Sequence, residues 1–439
     1  MLLSLPHSFP RLVRSARAHR TGIIPSRSLP YSARDRRAIS TRAESYPIQM
    51  CRVPRSAALH SGPLARRRTP PTRSPIMPPQ AHFSSAPEAK KKPQEPRPSS
   101  SVILLSPENQ ILLLHRVQTS SAFPSAHVFP GGNLSDFHDG EVPEPGKAER
   151  HQDSEPYRLA AIRETFEECG ILLAREAGGG EALLNIASAK RDQARKSIYD
   201  NSVRFVQWLQ EVGGTADTAN LLPFTRWVTP AALPRRFTTQ MYIYMLPLST
   251  SDDPVVAAAR SEAIVPTPDG GVEINAARFD AASTWLERQR RGEITLFPPQ
   301  HYLLHVLSRF LTGPPPDAPG PSELAAHYGS QREKLKSFLA TVPTATDPEA
   351  AAHHTSQIPW ADKVLCPISL GVRRSDQRVI LGLDKPGPEL EPTGRGGDWE
   401  NIVLARFSKG HVKEVEVKGR KEMHAEEREY AKRSKKSRL

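Results

Sequence analysis

The segment Arg163-Glu164-Thr165-Phe166-Glu167-Glu168-Cys169-Gly170-Ile171 places three carboxylates and an arginine within about two helical turns. At about 100° per residue, Glu164, Glu167 and Glu168 share about one third of a helix circumference, and Leu159, Ile162, Phe166, Cys169 and Leu173 fall on the other side. Like charges at i, i+3 and i, i+4 weaken a helix, and no lysine stands close by in the sequence to offset them. Hard carboxylate oxygens grouped in this way suit Mg2+ or Mn2+. The plain alternative is a solvated acidic face, which is common on surface helices. Three neighbouring features speak against it. Arg163 can pair with Glu167 at i+4, Gly170 can close the helix in a left-handed conformation, and the double glycine of Phe129-Pro130-Gly131-Gly132 lets backbone approach a ligand closely.

These residues resemble the Nudix hydrolase signature: a glycine, a spacer, then R-E-U-x-E-E-x-G-U, where U is a bulky apolar residue. Every polar and glycine position of the second half matches, and Thr165 stands where the first U is usually aliphatic. The spacer departs from the pattern. Thirty residues separate Gly132 from Arg163, and His138 stands where the pattern carries a glutamate. Glu141, Glu144, Glu149 and Glu155 in this insert are the candidates for that lost carboxylate. The long insert resembles the branch of Nudix enzymes that hydrolyse coenzyme A and its thioesters in peroxisomes. The stretches Leu112-Leu113-Leu114-His115-Arg116, Trp227-Val228-Thr229-Pro230 with Pro234-Arg235-Arg236-Phe237, and Leu296-Phe297-Pro298-Pro299-Gln300 resemble it too. The resemblance covers residues 98–312.

The resemblance implies a diphosphatase that uses Mg2+ or Mn2+ and cleaves coenzyme A or acyl-CoA to 3′,5′-ADP and (acyl) phosphopantetheine. NADH, ADP-ribose or capped RNA are alternative substrates of the same chemistry. A Nudix-fold binding module that has lost catalysis is the alternative of another class, and the complete set of Glu164, Glu167 and Glu168 argues against it. By resemblance, Glu167 and Glu168 hold metal, Glu164 is a third ligand or the base, the Gly132 carbonyl adds an oxygen, and Arg163 orients a glutamate. Glu273, after the turn Asp269-Gly270-Gly271, is a candidate general base, with Glu262 a weaker one. A substrate with several phosphates calls for basic contacts, and Arg116, Arg235 and Arg236 are the candidates. His301 and His305 share a helix face without a third ligand and read as structural; His115 and His127 are weak signals.

Composition separates the chain into unlike parts. Residues 1–100 carry 19 Lys and Arg against 4 Asp and Glu, whereas the rest carries 41 against 43. The formal charge of +13 therefore belongs to the leader. It gives no reason to make nucleic acid a partner of the body, for which RNA or DNA binding is unexpected. The leader, residues 1–97, is Arg-, Ser- and Pro-rich and reads as disordered; its bias is that of a mitochondrial transit peptide, and Met77 offers a second start besides Met1. The terminal Ser437-Arg438-Leu439 resembles a peroxisomal address read by an import receptor. The expectation is thus a peroxisomal protein, with the mitochondrion as the alternative. Cys51, Cys169 and Cys366 lack metal-type spacing, and no apolar run is long enough for a transmembrane helix.

The pattern of apolar residues predicts an α/β fold, a Nudix-type α/β/α sandwich around a mixed sheet, with a small β-rich C-terminal portion. The expected order is a hairpin of strands 101–106 and 110–117, a strand 126–130, a polar surface insert 133–155, and the signature helix 156–174. A helix 190–212, strands 224–229, 241–247 and 272–279, and helices 281–291 and 298–311 follow. Residues 313–322 read as a Pro/Gly-rich linker. Beyond it, 323–425 reads as a helix followed by strands, and 426–439 as a basic tail.

Overall fold

Strand β1 (Arg97–Leu105) organises the molecule because its apolar residues face both ways: Val102 and Leu104 enter one core, Ile103 and Leu105 the other. The computed structural model describes residues 93–120, 124–180, 182–248, 264–315, 317, 320–408 and 411–436. Cys51, Met77, Glu262, nearly all of the leader and the terminal Ser437, Arg438 and Leu439 lie outside them. The described residues belong to one compact unit.

β1 runs antiparallel to β2 (Ile111–Arg116), closing the expected hairpin with Leu105 opposite Ile111. Two short strands, β3 (His127–Val128) and β4 (Gly131–Asn133), replace the single one expected at 126–130. β4 lies against β1 with Gly132 opposite Ser100. A small pair, β5 (Ala174–Glu176) and β6 (Gly214–Ala216), stands apart. β7 (Leu222–Val228), β8 (Phe237–Met245), β9 (Ile274–Asp280) and β10 (Val364–Leu365) complete the main sheet in the order β10-β7-β8-β1-β2-β3, with β4 on β1 and β9 on β2. β8 is parallel to β1 and β2 antiparallel, so the sheet is mixed.

Helix α1 (Glu155–Cys169) covers one face, packing Tyr157, Ala161, Ile162, Phe166 and Cys169 on Val102, Leu104, Leu112, Leu114 and Tyr242. It stops before the expected end at 174 because Gly170 adopts φ 75° and its N–H returns to the Phe166 carbonyl. The helix expected over 190–212 is two, α2 (Ser188–Tyr199) and α3 (Phe205–Glu211), broken where Asn201 takes φ 55°. On the opposite face lie α4 (Ala282–Arg290), α5 (Pro298–Ser308) and α6 (Pro321–Ala340). Buried Arg332 on α6 donates to Asn109 Oδ1 and to the Leu246 and Ser106 carbonyls, fastening that helix to the first hairpin.

The C-terminal portion is part of the same structure. β10 pairs with β7 in the main sheet. β11 (Ile368–Val372), β12 (Val379–Leu383), β13 (Asp398–Ser408) and β14 (His411–Gly419) form an antiparallel sheet. Leu381, Leu383, Val403 and Ala405 of that sheet share a core with Trp285, Tyr302 and Leu335. The expected basic tail at 426–439 starts inside a helix, Arg420–Lys436. Met423 is buried beneath it, and Glu426 pairs with Lys418 and Arg373, so acidic residues spaced along the run anchor it to the sheet.

Lys363, just before β10, is 1% exposed and donates to the Thr355 and Gly397 carbonyls. Burial lowers its pKa to about 8. A depressed folded-state pKa contributes stability that is present above the unfolded value of 10.5 and lost as pH falls toward 8. The melting temperature of the wild type should therefore rise relative to Lys363→Met between pH 8 and 10. A gap that stays constant over that window would mean that Lys363 is hydrated in the native state.

Candidate metal and catalytic site

The polar side of α1 is not a solvated face. Glu164, Glu167 and Glu168 side chains are 18%, 10% and 7% exposed, and β4 crosses directly over them. Gly132 lets the carboxylate stay where it is: a Cβ there would stand 2.4 Å from the Glu164 carboxyl carbon and push that side chain aside. A Cβ on Gly131 would meet the Ser100 carbonyl at 2.3 Å. The glycines thus allow strand β4 to lie between β1 and the carboxylates, and the Gly131 N–H donates to Glu168 Oε2 at 2.8 Å.

Arg163 is the hub. Its buried guanidinium donates to Glu164 Oε1 (2.8 Å), Glu167 Oε1 (2.9 Å) and the Asn133 carbonyl (2.9 Å). Its other edge grips Asp139 in a two-bond fork, both 2.8 Å. Asp139, 1% exposed, also accepts the Ser135 N–H. The sequence reading missed this residue. Glu141, Glu144, Glu149 and Glu155 are all exposed, and the carboxylate that the insert brings to Arg163 is Asp139. Its neighbour His138 is buried, bonded to Asn201 Oδ1 and accepting the Phe205 N–H. The signal available was an aspartate one position from the aberrant histidine.

Arg116, a candidate contact for substrate phosphate, joins the cluster. It bridges Glu168 (3.4 Å) and Glu273 (2.8 Å), having been carried there by the β2–β9 pairing. Glu273 is placed by Asp269, whose carboxylate accepts the backbone N–H groups of residues 271–274. Arg236, another such candidate, is 1% exposed and bonded to Glu389 and to the Gln94 and Thr229 carbonyls, tying the C-terminal portion to the start of β1. Arg235 is exposed in the β7–β8 turn. Arg195 on α2, not singled out from sequence, donates twice to the Glu167 carbonyl and so fixes the C-terminal turn of α1. Half-buried His301 faces Gln289, and His115 stacks on His127 with centroids 4.6 Å apart.

Burial, and then repulsion from Glu164, pushes Glu167 up to about 7 and Glu168 well above the carboxylate range. Burial also raises Glu164, against the pull of Arg163. Among the described residues the five carboxylates, Asp139 and the four glutamates, pair only with Arg116 and Arg163, so ionising all of them leaves negative charge in excess. The donor chemistry and this excess fit a hard divalent cation. Among the described residues no three such side chains already converge as a metal cage. Each glutamate is turned toward an arginine or a backbone N–H, and binding a cation means exchanging those partners.

Residues 146–307 match the family model described as the NUDT19 Nudix domain. Over these residues, fewer than half of its length, the chain resembles a Nudix domain. The matched stretch includes α1 and Glu273 and begins beyond Gly131-Gly132. Among similar proteins, "Acyl-coenzyme A diphosphatase NUDT19" of Gallus gallus is 30% identical over 249 residues, covering 46% of this chain and 61% of that one. "Putative nudix hydrolase 7" of Caenorhabditis elegans is 27% identical over 217 residues, 48% of this chain and 61% of that one. The chain thus spans about three fifths of the length of these curated relatives. A crystal structure of a NUDIX hydrolase from Alicyclobacillus acidocaldarius aligns with 48% of this chain and 90% of that one, at 21% identity and a TM-score of 0.37.

Proposed function

We propose that the Nudix domain hydrolyses a nucleoside diphosphate linkage, with coenzyme A or acyl-CoA as substrate and 3′,5′-ADP and (acyl) phosphopantetheine as products. The observation that carries the chemistry is the buried, under-neutralised carboxylate cluster beneath Gly132. The substrate class is supported by the acyl-coenzyme A diphosphatase relatives.

Glu164, Glu167, Glu168 and the Gly132 carbonyl would hold Mg2+ or Mn2+, which when bound offsets diphosphate charge and acidifies water. The protein's own groups do the remainder. Arg163, anchored by Asp139, holds Glu164 and Glu167 in place. Arg116 holds Glu168 and Glu273 in one row. Glu273, 39% exposed and joined to the cluster through Arg116, is the base that accepts a proton from water. The water oxygen bonds to one phosphorus, the bridging P–O bond breaks, and the second phosphate leaves as the product monoester.

A hydrolysis screen tests the substrate assignment: coenzyme A, acyl-CoA, NADH, ADP-ribose and capped RNA, with products resolved by chromatography. Release of 3′,5′-ADP from the CoA compounds at the highest kcat/KM is expected. Faster turnover of NADH, ADP-ribose or capped RNA would replace the substrate, and no turnover of any would favour a binding module. Metal binding has its own readout. Mn2+ should raise the melting temperature of the wild type and leave Glu168→Gln nearly unmoved, since ligands of the native state stabilise it by mass action. Equal shifts in both proteins would remove Glu168 from the metal site.

A further inference from the structure

Arg226 on β7 is completely buried, yet among the described residues no carboxylate pairs with it. Nη1 reaches Thr238 Oγ1 at 3.4 Å, and Nε and Nη2 have no hydrogen-bond partner among the described residues. The guanidinium lies 4.6 Å from the centre of the Tyr157 ring, two turns before Glu164 on α1. Two further donor-bearing residues, His151 and Arg395, feel its charge. His151, from the insert, is 5% exposed with Nδ1 unpartnered. Arg395, from the segment before β13, donates to the His151 carbonyl at 3.3 Å and twice to the Asp362 carbonyl, so its partners carry no charge. Burial and then Arg226 push His151 down to about 4 and Arg395 to about 10. The carboxylates nearby are engaged: Glu95 with Arg150 and the Gly146 N–H, Glu389 with Arg236.

An arginine stays protonated in a protein, and an unpaired buried charge is costly. We propose that this junction of β7, the insert and the C-terminal portion binds a small oxyanion of the phosphate class through Arg226, Arg395 and His151. Planar guanidinium groups match such oxygens in paired hydrogen bonds. Arg150, next to His151, lines an open groove of about 410 Å3 with Arg97, Asn133, Asp136 and Glu144, which brings solvent to the edge of the cluster. The bound anion would join the insert, the main sheet and the C-terminal portion, at a site separate from the carboxylate cluster.

The test is the melting temperature of the full chain without divalent metal, as sodium phosphate replaces sodium chloride at low millimolar concentration and constant ionic strength. A saturable rise of roughly 3 °C is expected for the wild type. It should disappear in Arg395→Gln and in Arg226→Met. If Arg226→Met does not fold, His151→Gln takes its place beside Arg395→Gln. No saturable rise in the wild type would overturn the site, leaving the buried donors to water. An equal rise in Arg395→Gln would overturn it as well, by showing a general effect of the salt.

Discussion

Glu167→Gln and Glu168→Gln should each lower kcat/KM by about a hundredfold or more, equivalent to about 2.7 kcal/mol of transition-state stabilisation, while the metal-free protein keeps or gains stability. The two effects have one origin. The carboxylates are held together against their repulsion, with Glu167 raised to about 7 by burial and by Glu164. A neutral side chain of the same size relieves that repulsion but gives up the anionic oxygen a divalent cation requires. In Glu168→Gln the new amide oxygen can still accept the Gly131 N–H, so β4 keeps its place over α1. Steady-state kinetics with CoA and thermal melts in EDTA measure both sides. A Glu167→Gln protein with wild-type turnover, or full activity in EDTA, would dismantle the metal assignment. A large drop in the metal-free melting temperature would show instead that the cluster holds the fold.

The carboxylate helix was legible because its information is local. Helical spacing puts Glu164, Glu167 and Glu168 on one side, Arg163 reaches Glu167 over one turn, and Gly170 ends the helix within the motif itself. The short apolar runs of the first hairpin were legible for the same reason. What escaped depends on pairing between distant segments. Arg116 reads as a spare basic residue until β2 pairs with β9 and sets it between Glu168 and Glu273. The partner of Arg236, Glu389, comes from far along the chain. Asp139 was hidden by the insert, which breaks the spacing from which a partner of Arg163 could be inferred. The C-terminal helix was hidden by composition: its lysines and arginines read as a solvated tail, although Met423 and Glu426 carry the docking.

The insert therefore does more than lengthen a loop, and Asp139→Ala measures how much. Asp139 and Arg163 are both nearly inaccessible to water and share two 2.8 Å hydrogen bonds. Removing one member of a buried pair costs about 3–5 kcal/mol, because the survivor is left charged and desolvated. Here part of that loss is recovered, since Glu164 and Glu167 still accept from Arg163, so about 3 kcal/mol is expected, at the lower end of the range. The readout is a lower urea midpoint with an unchanged slope. Turnover should fall as well, by about tenfold. Without the Asp139 fork, Arg163 is free to swing fully onto Glu164 and Glu167 and compete with the cation for their oxygens. That competition predicts a signature a merely structural role would not give: raising the Mn2+ concentration should restore turnover at temperatures where Asp139→Ala remains folded. A variant with a midpoint shift below about 1 kcal/mol would show that the insert does not anchor Arg163. A folded variant whose lost activity no metal concentration restores would show that Asp139 acts otherwise than by restraining that arginine.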